Sequence, residues 1–189
     1  MVLKKIIQYN TKKWDFRGVI ERYLDCGPLE KLHELAEYDV FVRENDQSSV
    51  FHKKFYEKCD LNNEFDDLYE NFIRNFISPV LSDKNLVYQK RPSFRVHLNG
   101  NKAVGEFHKD SDYNHPIEEI NFFVPVTISN ETSTIWVESK PNKRDFRPIN
   151  LKYGQILLFS GGILNHGNLI NQTGQTRVSF DYRVIKSKN

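Results

Sequence analysis

The chain is 189 residues long, the length of one domain, and its 27 Lys and Arg against 25 Asp and Glu leave a net charge of only +2. That balance argues against a dedicated nucleic-acid binder, and a composition 39 % hydrophobic and 13 % aromatic excludes disorder as the state of the whole chain. Two cysteines, Cys26 and Cys59, without CxxC spacing make neither a disulfide framework nor a cysteine-based zinc site.

In chain order, the start carries four lysines in its first 13 residues but no apolar stretch with a cleavage site. A secretory signal is not expected, nor is a membrane span, and the expected location is cytoplasmic. A short helix is expected over Leu29, Leu32 and Leu35, after Gly27 and Pro28. Ser48 or Ser49 can cap a second through Val50, Phe51 and Phe55. Between 62 and 77 the apolar residues Phe65, Leu68, Phe72, Ile73 and Phe76 trace one face of a third. Asn62 or Asn63 caps its start and Pro79 stops it.

Near residue 86 the character changes. Short strands are expected over 94–98, 103–108, 119–127, 132–139, 155–160 and 176–185. Turn signals such as Asn99-Gly100, Pro141-Asn142 and Gly161-Gly162 separate them. Regularly spaced strands of this kind suggest a sandwich or barrel. The expectation is one domain, mainly β with N-terminal helices, in which a mostly helical section, 1–86, packs on a β core, 87–186.

The last strand is the most informative. Val178, Phe180, Tyr182 and Val184 share one face, and Arg177, Ser179, Asp181 and Arg183 share the other. If both faces are covered, the charged row lies inside and lines a polar site or a salt-bridge network. The alternative is a solvated outer face.

Three further features bear on that choice. His108 and Asp110, two residues apart, can project from one face of a strand and bind one cation. His166, after the Gly161-Gly162 turn, supplies a second imidazole. Two histidines and one carboxylate on one side of a metal leave positions open, the facial arrangement of non-haem Fe(II) oxygenases. Arg177, eleven residues after His166, offers a fork that pairs bidentately with a carboxylate, and Ser179 lies on the same face. The pair suits the far carboxylate of 2-oxoglutarate; a structural salt bridge from Arg177 to Asp181 is the plainer reading.

The ordered set His108-x-Asp110, His166, Arg177-x-Ser179 in a β-rich half resembles the iron- and 2-oxoglutarate-dependent dioxygenases. Residues 88–185 more narrowly resemble their streptomycin-biosynthesis-type subgroup. The resemblance implies a double-stranded β-helix, or jelly-roll, core. It also implies one Fe(II) held by His108, Asp110 and His166, O2, and 2-oxoglutarate as cosubstrate, converted to succinate and CO2. It does not fix the substrate.

Other residues take expected places around that set. Asn121 can donate to the C1 carboxylate of 2-oxoglutarate. Asp112 and His115 are competing ligands that fit better on a loop at the mouth. Arg95, His97, Trp136, Glu138 and Arg183 are candidate substrate contacts, and their polarity favours a small hydrophilic substrate such as a sugar, aminocyclitol or amino-acid derivative. Residues 139–148, with Lys140, Lys143, Arg144 and Arg147, make either a lid or a solvated loop. A jelly-roll sugar isomerase or epimerase, and a non-catalytic small-molecule-binding module, are the competing functions; Arg177-x-Ser179 and the intact triad speak against them. A nucleic-acid partner is not expected. Oligomeric state is left open.

Overall fold

A computed structural model describes residues 2–35, 47–103 and 106–187. The helical section begins with a strand, β1 (Lys4–Gln8), and then α1 (Phe16–Leu24). Asp15 caps α1 by accepting from the Gly18 N–H at 3.0 Å. Its buried residues, Phe16, Val19, Ile20, Tyr23 and Leu24, are spaced for one helix face. A 3-10 turn over Leu29–Glu34 follows where a short helix is expected. Next come α2 (Val50–Leu61), capped by Ser49, and α3 (Glu64–Phe72).

Pro79 does not end this helical run. After α3 the backbone widens into one π turn, Ile73–Ile77, and continues as α4 (Ser78–Leu81). The wide turn shifts the hydrogen-bond register, and Pro79 then sits in the first turn of α4, where a missing N–H costs nothing. The run stops at Ser82, whose φ of +53° is left-handed.

The strands that follow are β2 (Val87–Tyr88), β3 (Ser93–His97), β4 (Ile120–Pro125), β5 (Trp136–Val137), β6 (Arg147–Pro148), β7 (Gln155–Phe159), β8 (His166–Gly167) and β9 (Arg177–Ile185). The larger sheet runs β1-β7-β4-β9, with β9 pairing β2 and β3 in succession on its far side. The smaller is β6-β5-β8, and every pairing in both is antiparallel. Two expected strands are shorter or irregular. Of 132–139 only Trp136–Val137 pairs, after a 3-10 turn at Glu131–Ser133. Of 103–108, residues 104 and 105 lie outside the described ones, and His108 forms an isolated bridge to His166.

The larger sheet separates two apolar layers. Phe94, Phe122, Val178, Phe180, Tyr182 and Val184 meet Phe16, Phe55, Phe65 and Phe72 of the helices in the main core. Phe180 touches the rings of both Phe16 and Phe65. Each such ring contributes about 1.5–3 kcal/mol by leaving water, so the helical section is fixed to this face. On the other face Phe123, Leu157 and Phe159 pack with Ile135, Val137, Leu151 and Leu164 in a smaller cluster. Both faces of β9 are therefore covered. The row Arg177, Ser179, Asp181 and Arg183 points toward the smaller sheet, and the solvated-face alternative fails: Arg177 and Ser179 are buried. No helix among the described residues is long and apolar enough to cross a membrane.

Candidate metal centre

His108 and His166 are held side by side by their own backbones. The His108 N–H donates to the His166 carbonyl at 3.0 Å, and the His166 N–H returns the bond at 2.9 Å. Two residues on, the Asp110 N–H donates to the Gly161 carbonyl at 3.0 Å. That bond fixes the start of a 3-10 turn, Asp110–Tyr113, under the imidazoles.

The ring orientations follow from local acceptors. His108 Nδ1 lies 2.8 Å from the Glu106 carbonyl, and His166 Nδ1 lies 3.0 Å from the Leu164 carbonyl. A carbonyl can only accept, so each Nδ1 carries a proton and Nε2 is the nitrogen turned to the site. The two Nε2 atoms then face Asp110 Oδ1 at 3.4 and 3.5 Å. The other oxygen of Asp110 is occupied: Oδ2 accepts from Asn121 Nδ2 at 2.6 Å and from Arg183 Nε at 2.9 Å. One ligand atom from each of the three residues lies within 4.8 Å of the others.

Two imidazole nitrogens and one carboxylate oxygen converge on one point, where a cation can take the place of any proton they share. Two imidazoles and one carboxylate, each oriented by an outer hydrogen bond, are a donor set that fits a divalent transition metal such as Fe(II). Burial alone would push the Asp110 carboxyl up. His108, His166 and Arg183 outweigh it and hold the carboxyl far below the usual range. Burial lowers the His108 imidazole, but Asp110 outweighs it and raises the group overall. Asp112 and His115 stand apart: Asp112 accepts from the Lys109 N–H at 3.0 Å, and His115 pairs with Glu119 at 3.1 Å.

The ligands open on a cavity of about 80 Å³ whose lining also includes Arg95, Asn121, Phe159, Asn168, Arg177 and Arg183. Arg177 projects into it from β9. Its Nε donates to the Ser133 carbonyl at 3.0 Å and Nη1 to Ser179 Oγ at 2.5 Å, while Nη2 lies 3.3 Å from His97 Nδ1. Its guanidinium also sits over the Phe123 ring, 5.2 Å from the centroid. Asp181 does not pair with it; that carboxylate takes Arg95 Nε at 2.8 Å. Among the described residues Arg177 thus has no carboxylate partner. Burial, with Arg95 nearby, drives it down to about 9, the mark of a cation kept from water.

The remaining expected site residues divide. Arg95, Asn121 and Arg183 line the cavity. Arg183 and Asn121 both hold Asp110, and Asn121 Oδ1 is buried without a hydrogen bond. His97 and Trp136 are corrections, because neither lines the cavity. His97 lies beneath Arg177 with no exposure, and Trp136 turns its ring outward to donate to the Glu131 carbonyl at 3.0 Å. Glu138 is a third. Its buried carboxylate accepts from the N–H groups of Asn142, Arg144 and Asn165 at 3.1, 2.9 and 2.8 Å. With the Ser139–Asp145 bonds it ties down the segment considered as a lid.

Residues that the sequence reading passed over include Gly161, Ser133 and Asn168. A Cβ on Gly161 would lie 2.5 Å from the Asn121 amide, so only glycine admits the Asn121–Asp110 bond. In sequence it reads only as a turn.

No family model matches the chain. It is 35 % identical over 159 residues to the streptomycin biosynthesis protein StrG of Streptomyces griseus, across 82 % of this chain and 73 % of that protein. Among solved structures it is similar to CytC3, determined with Fe(II) and alpha-ketoglutarate. That likeness has a TM-score of 0.55 and 16 % identity, over 96 % of this chain and 72 % of that one, and concerns the fold.

Proposed function

The chain belongs to the streptomycin-biosynthesis-type family of StrG, and on that premise we propose that it is a non-haem Fe(II)- and 2-oxoglutarate-dependent oxygenase that hydroxylates a small polar metabolite. In this reading the two facing sheets are a double-stranded β-helix and the chain is one domain. The two free cysteines are in keeping with a reducing, cytoplasmic setting.

One observation carries the reading. One cavity is lined both by a His-Asp-His donor set and by a buried guanidinium that has no carboxylate partner among the described residues. A metal-only or sugar-isomerising site has no use for the second. A dicarboxylate cosubstrate uses both, with its 2-oxo acid end at the metal and its far carboxylate on Arg177 and Ser179.

When bound, Fe(II) with 2-oxoglutarate and O2 supplies the oxidising equivalent, and the cosubstrate leaves as succinate and CO2. The protein does the rest by placement. His108 and His166 present their Nε2 atoms to the metal because their Nδ1 protons are tied to backbone. Asp110 offers one oxygen because Asn121 and Arg183 hold the other. Arg177 donates a fork in a dry site, where charge-assisted bonds count for more than in water. Phe123 and Phe159 keep water from the cavity walls, and the Arg95–Asp181 pair at its rim suits a hydrophilic substrate.

Anaerobic titration of the apo-protein with Fe(II), then 2-oxoglutarate, tests this. The expected result is a visible iron-to-cosubstrate charge-transfer band that is absent in Asp110→Ala and needs far more 2-oxoglutarate in Arg177→Lys, since an ammonium cannot reproduce the fork. Fe(II) uptake by wild type without any band would refute the cosubstrate reading.

A further inference from the structure

We propose that His97 is the positioning residue of the anion site: a neutral imidazole, protonated on Nε2, whose Nδ1 lone pair accepts from Arg177 and aims its guanidinium at the cosubstrate. The proposal rests on the reading of Arg177 as the carboxylate anchor.

The two residues are direct cross-strand partners, His97 on β3 opposite Arg177 on β9, so their side chains run together on the inner face. A guanidinium has five N–H donors and no acceptor. Ser133, Ser179 and His97 meet one donor each on Nε, Nη1 and Nη2. One N–H remains on each terminal nitrogen, the spacing that a carboxylate's two oxygens match.

The tautomer follows from what faces each ring nitrogen. Nη2 of Arg177 can only donate, so a proton on His97 Nδ1 would set two N–H groups against each other at 3.3 Å. The Ser133 carbonyl is the longer of the two backbone contacts, 3.2 Å from Nδ1, and it also takes the Nε–H of Arg177. Nε2 instead finds the Asn101 carbonyl at 2.9 Å. That carbonyl is itself fixed, because it also accepts the Asn171 N–H at 2.8 Å. The Asn171 side chain, fully buried, donates to the carbonyls of His97 at 2.9 Å and Gln175 at 2.7 Å. The ring is thus clamped at both nitrogens. Burial, and then the adjacent guanidinium, push the imidazole down to about 3, so it stays neutral and keeps its lone pair.

A matched pair of variants separates aiming from packing. Asn places its side-chain oxygen near the position of Nδ1, and Gln reaches instead toward that of Nε2. His97→Asn keeps an acceptor for Arg177 and gives up the Asn101 bond; His97→Gln does the reverse. The dissociation constant of 2-oxoglutarate is measured anaerobically on the Fe(II)-loaded proteins, with melting temperatures recorded alongside. The expected result is His97→Asn within about threefold of wild type and His97→Gln weakened about 10- to 100-fold, the range for one hydrogen bond to a charged group. Equal affinity in the two variants, or the opposite order, would overturn the proposal.

A second measurement needs no variant. The ¹⁵N shifts of His97 in the metal-free wild type should show a pyrrole-type Nε2 and a pyridine-type Nδ1 that do not titrate between pH 5 and 8. A protonated Nδ1 would overturn the assignment whatever the affinities are. Wild type that binds Fe(II) but no 2-oxoglutarate would count against the cosubstrate reading, and the ¹⁵N tautomer would still decide the role of His97.

Discussion

Metal addition should stabilise this protein by an amount that the site's construction allows to be stated in advance. In the metal-free chain the two Nε2 atoms face Asp110 Oδ1 at 3.4 and 3.5 Å, so a divalent ion replaces two long contacts with three bonds. A ligand that binds only the folded state adds about 2.7 kcal/mol at one hundred times its dissociation constant. In a chain of this size each kcal/mol moves the melting temperature by roughly 2–4 °C, giving a rise of about 5–11 °C. Asp110→Ala removes the anionic ligand and leaves Asn121 and Arg183 without their acceptor. Its own melting point should fall, by about 1–3 kcal/mol in stability, and its metal-induced rise should vanish. The assay is a thermal melt with and without anaerobic Fe(II), or Mn(II) as a redox-stable substitute. A wild-type melt indifferent to saturating metal, or an equal rise in Asp110→Ala, would refute the assigned ligand set.

Other perturbations reach the site and the fold separately. Gly161→Ala puts a Cβ against the Asn121 amide and should weaken metal binding about 10- to 100-fold, as loss of an outer-sphere hydrogen bond does; metal titration reads it, and wild-type affinity would refute it. Glu138→Gln exchanges a carboxylate oxygen for an amide that faces the Arg144 N–H. It should cost about 2 kcal/mol and lower the melting temperature by about 4–8 °C, whereas an unchanged melt would show that the 139–145 segment does not depend on it. Alkaline pH should destabilise the fold: burial pushes the Cys59 thiol and the Tyr153 phenol up to about 12. A raised acid favours its neutral form in the folded chain, so its contribution is complete below the unfolded pKa and is lost as pH rises toward the folded one. Urea midpoints should therefore hold from pH 7 to 8.5 and fall above about 9–10, with Cys59 alone giving up about 2 kcal/mol by pH 10.5; a midpoint unchanged at pH 10.5 would contradict it.

What the sequence made legible is what periodicity and short-range spacing encode. β9 alternates strictly, and its inward polar row was readable as such. His108 and Asp110 are two residues apart, and α3 carries its apolar face in plain sight. β1 was missed because, as an edge strand of sequence KKIIQ, it leaves four of its five residues exposed and shows no alternation. α1 was missed although its spacing is helical, since Gly18 interrupts it. The misplaced residues share one cause. His97 and Glu138 looked like substrate contacts because they are polar on a strand, yet each satisfies a buried structural demand created far along the chain, at Arg177 and at Asn165. Such pairings depend on register between distant strands, which no local pattern records.

β9 carries a further consequence, for the order of events during folding. It is the hub of the larger sheet, paired with β2, β3 and β4, and it supplies both Arg177 and the Arg183 that grips Asp110. All of these partners lie far from it in sequence, so the sheet closes through long loops, a topology that folds slowly. Until β9 docks, Asp110 lacks the Arg183 bond that holds its Oδ2, and Arg177 has not joined the cavity. In the proposed reading, the moment at which tight metal binding develops in a refolding experiment should mark the docking of this strand.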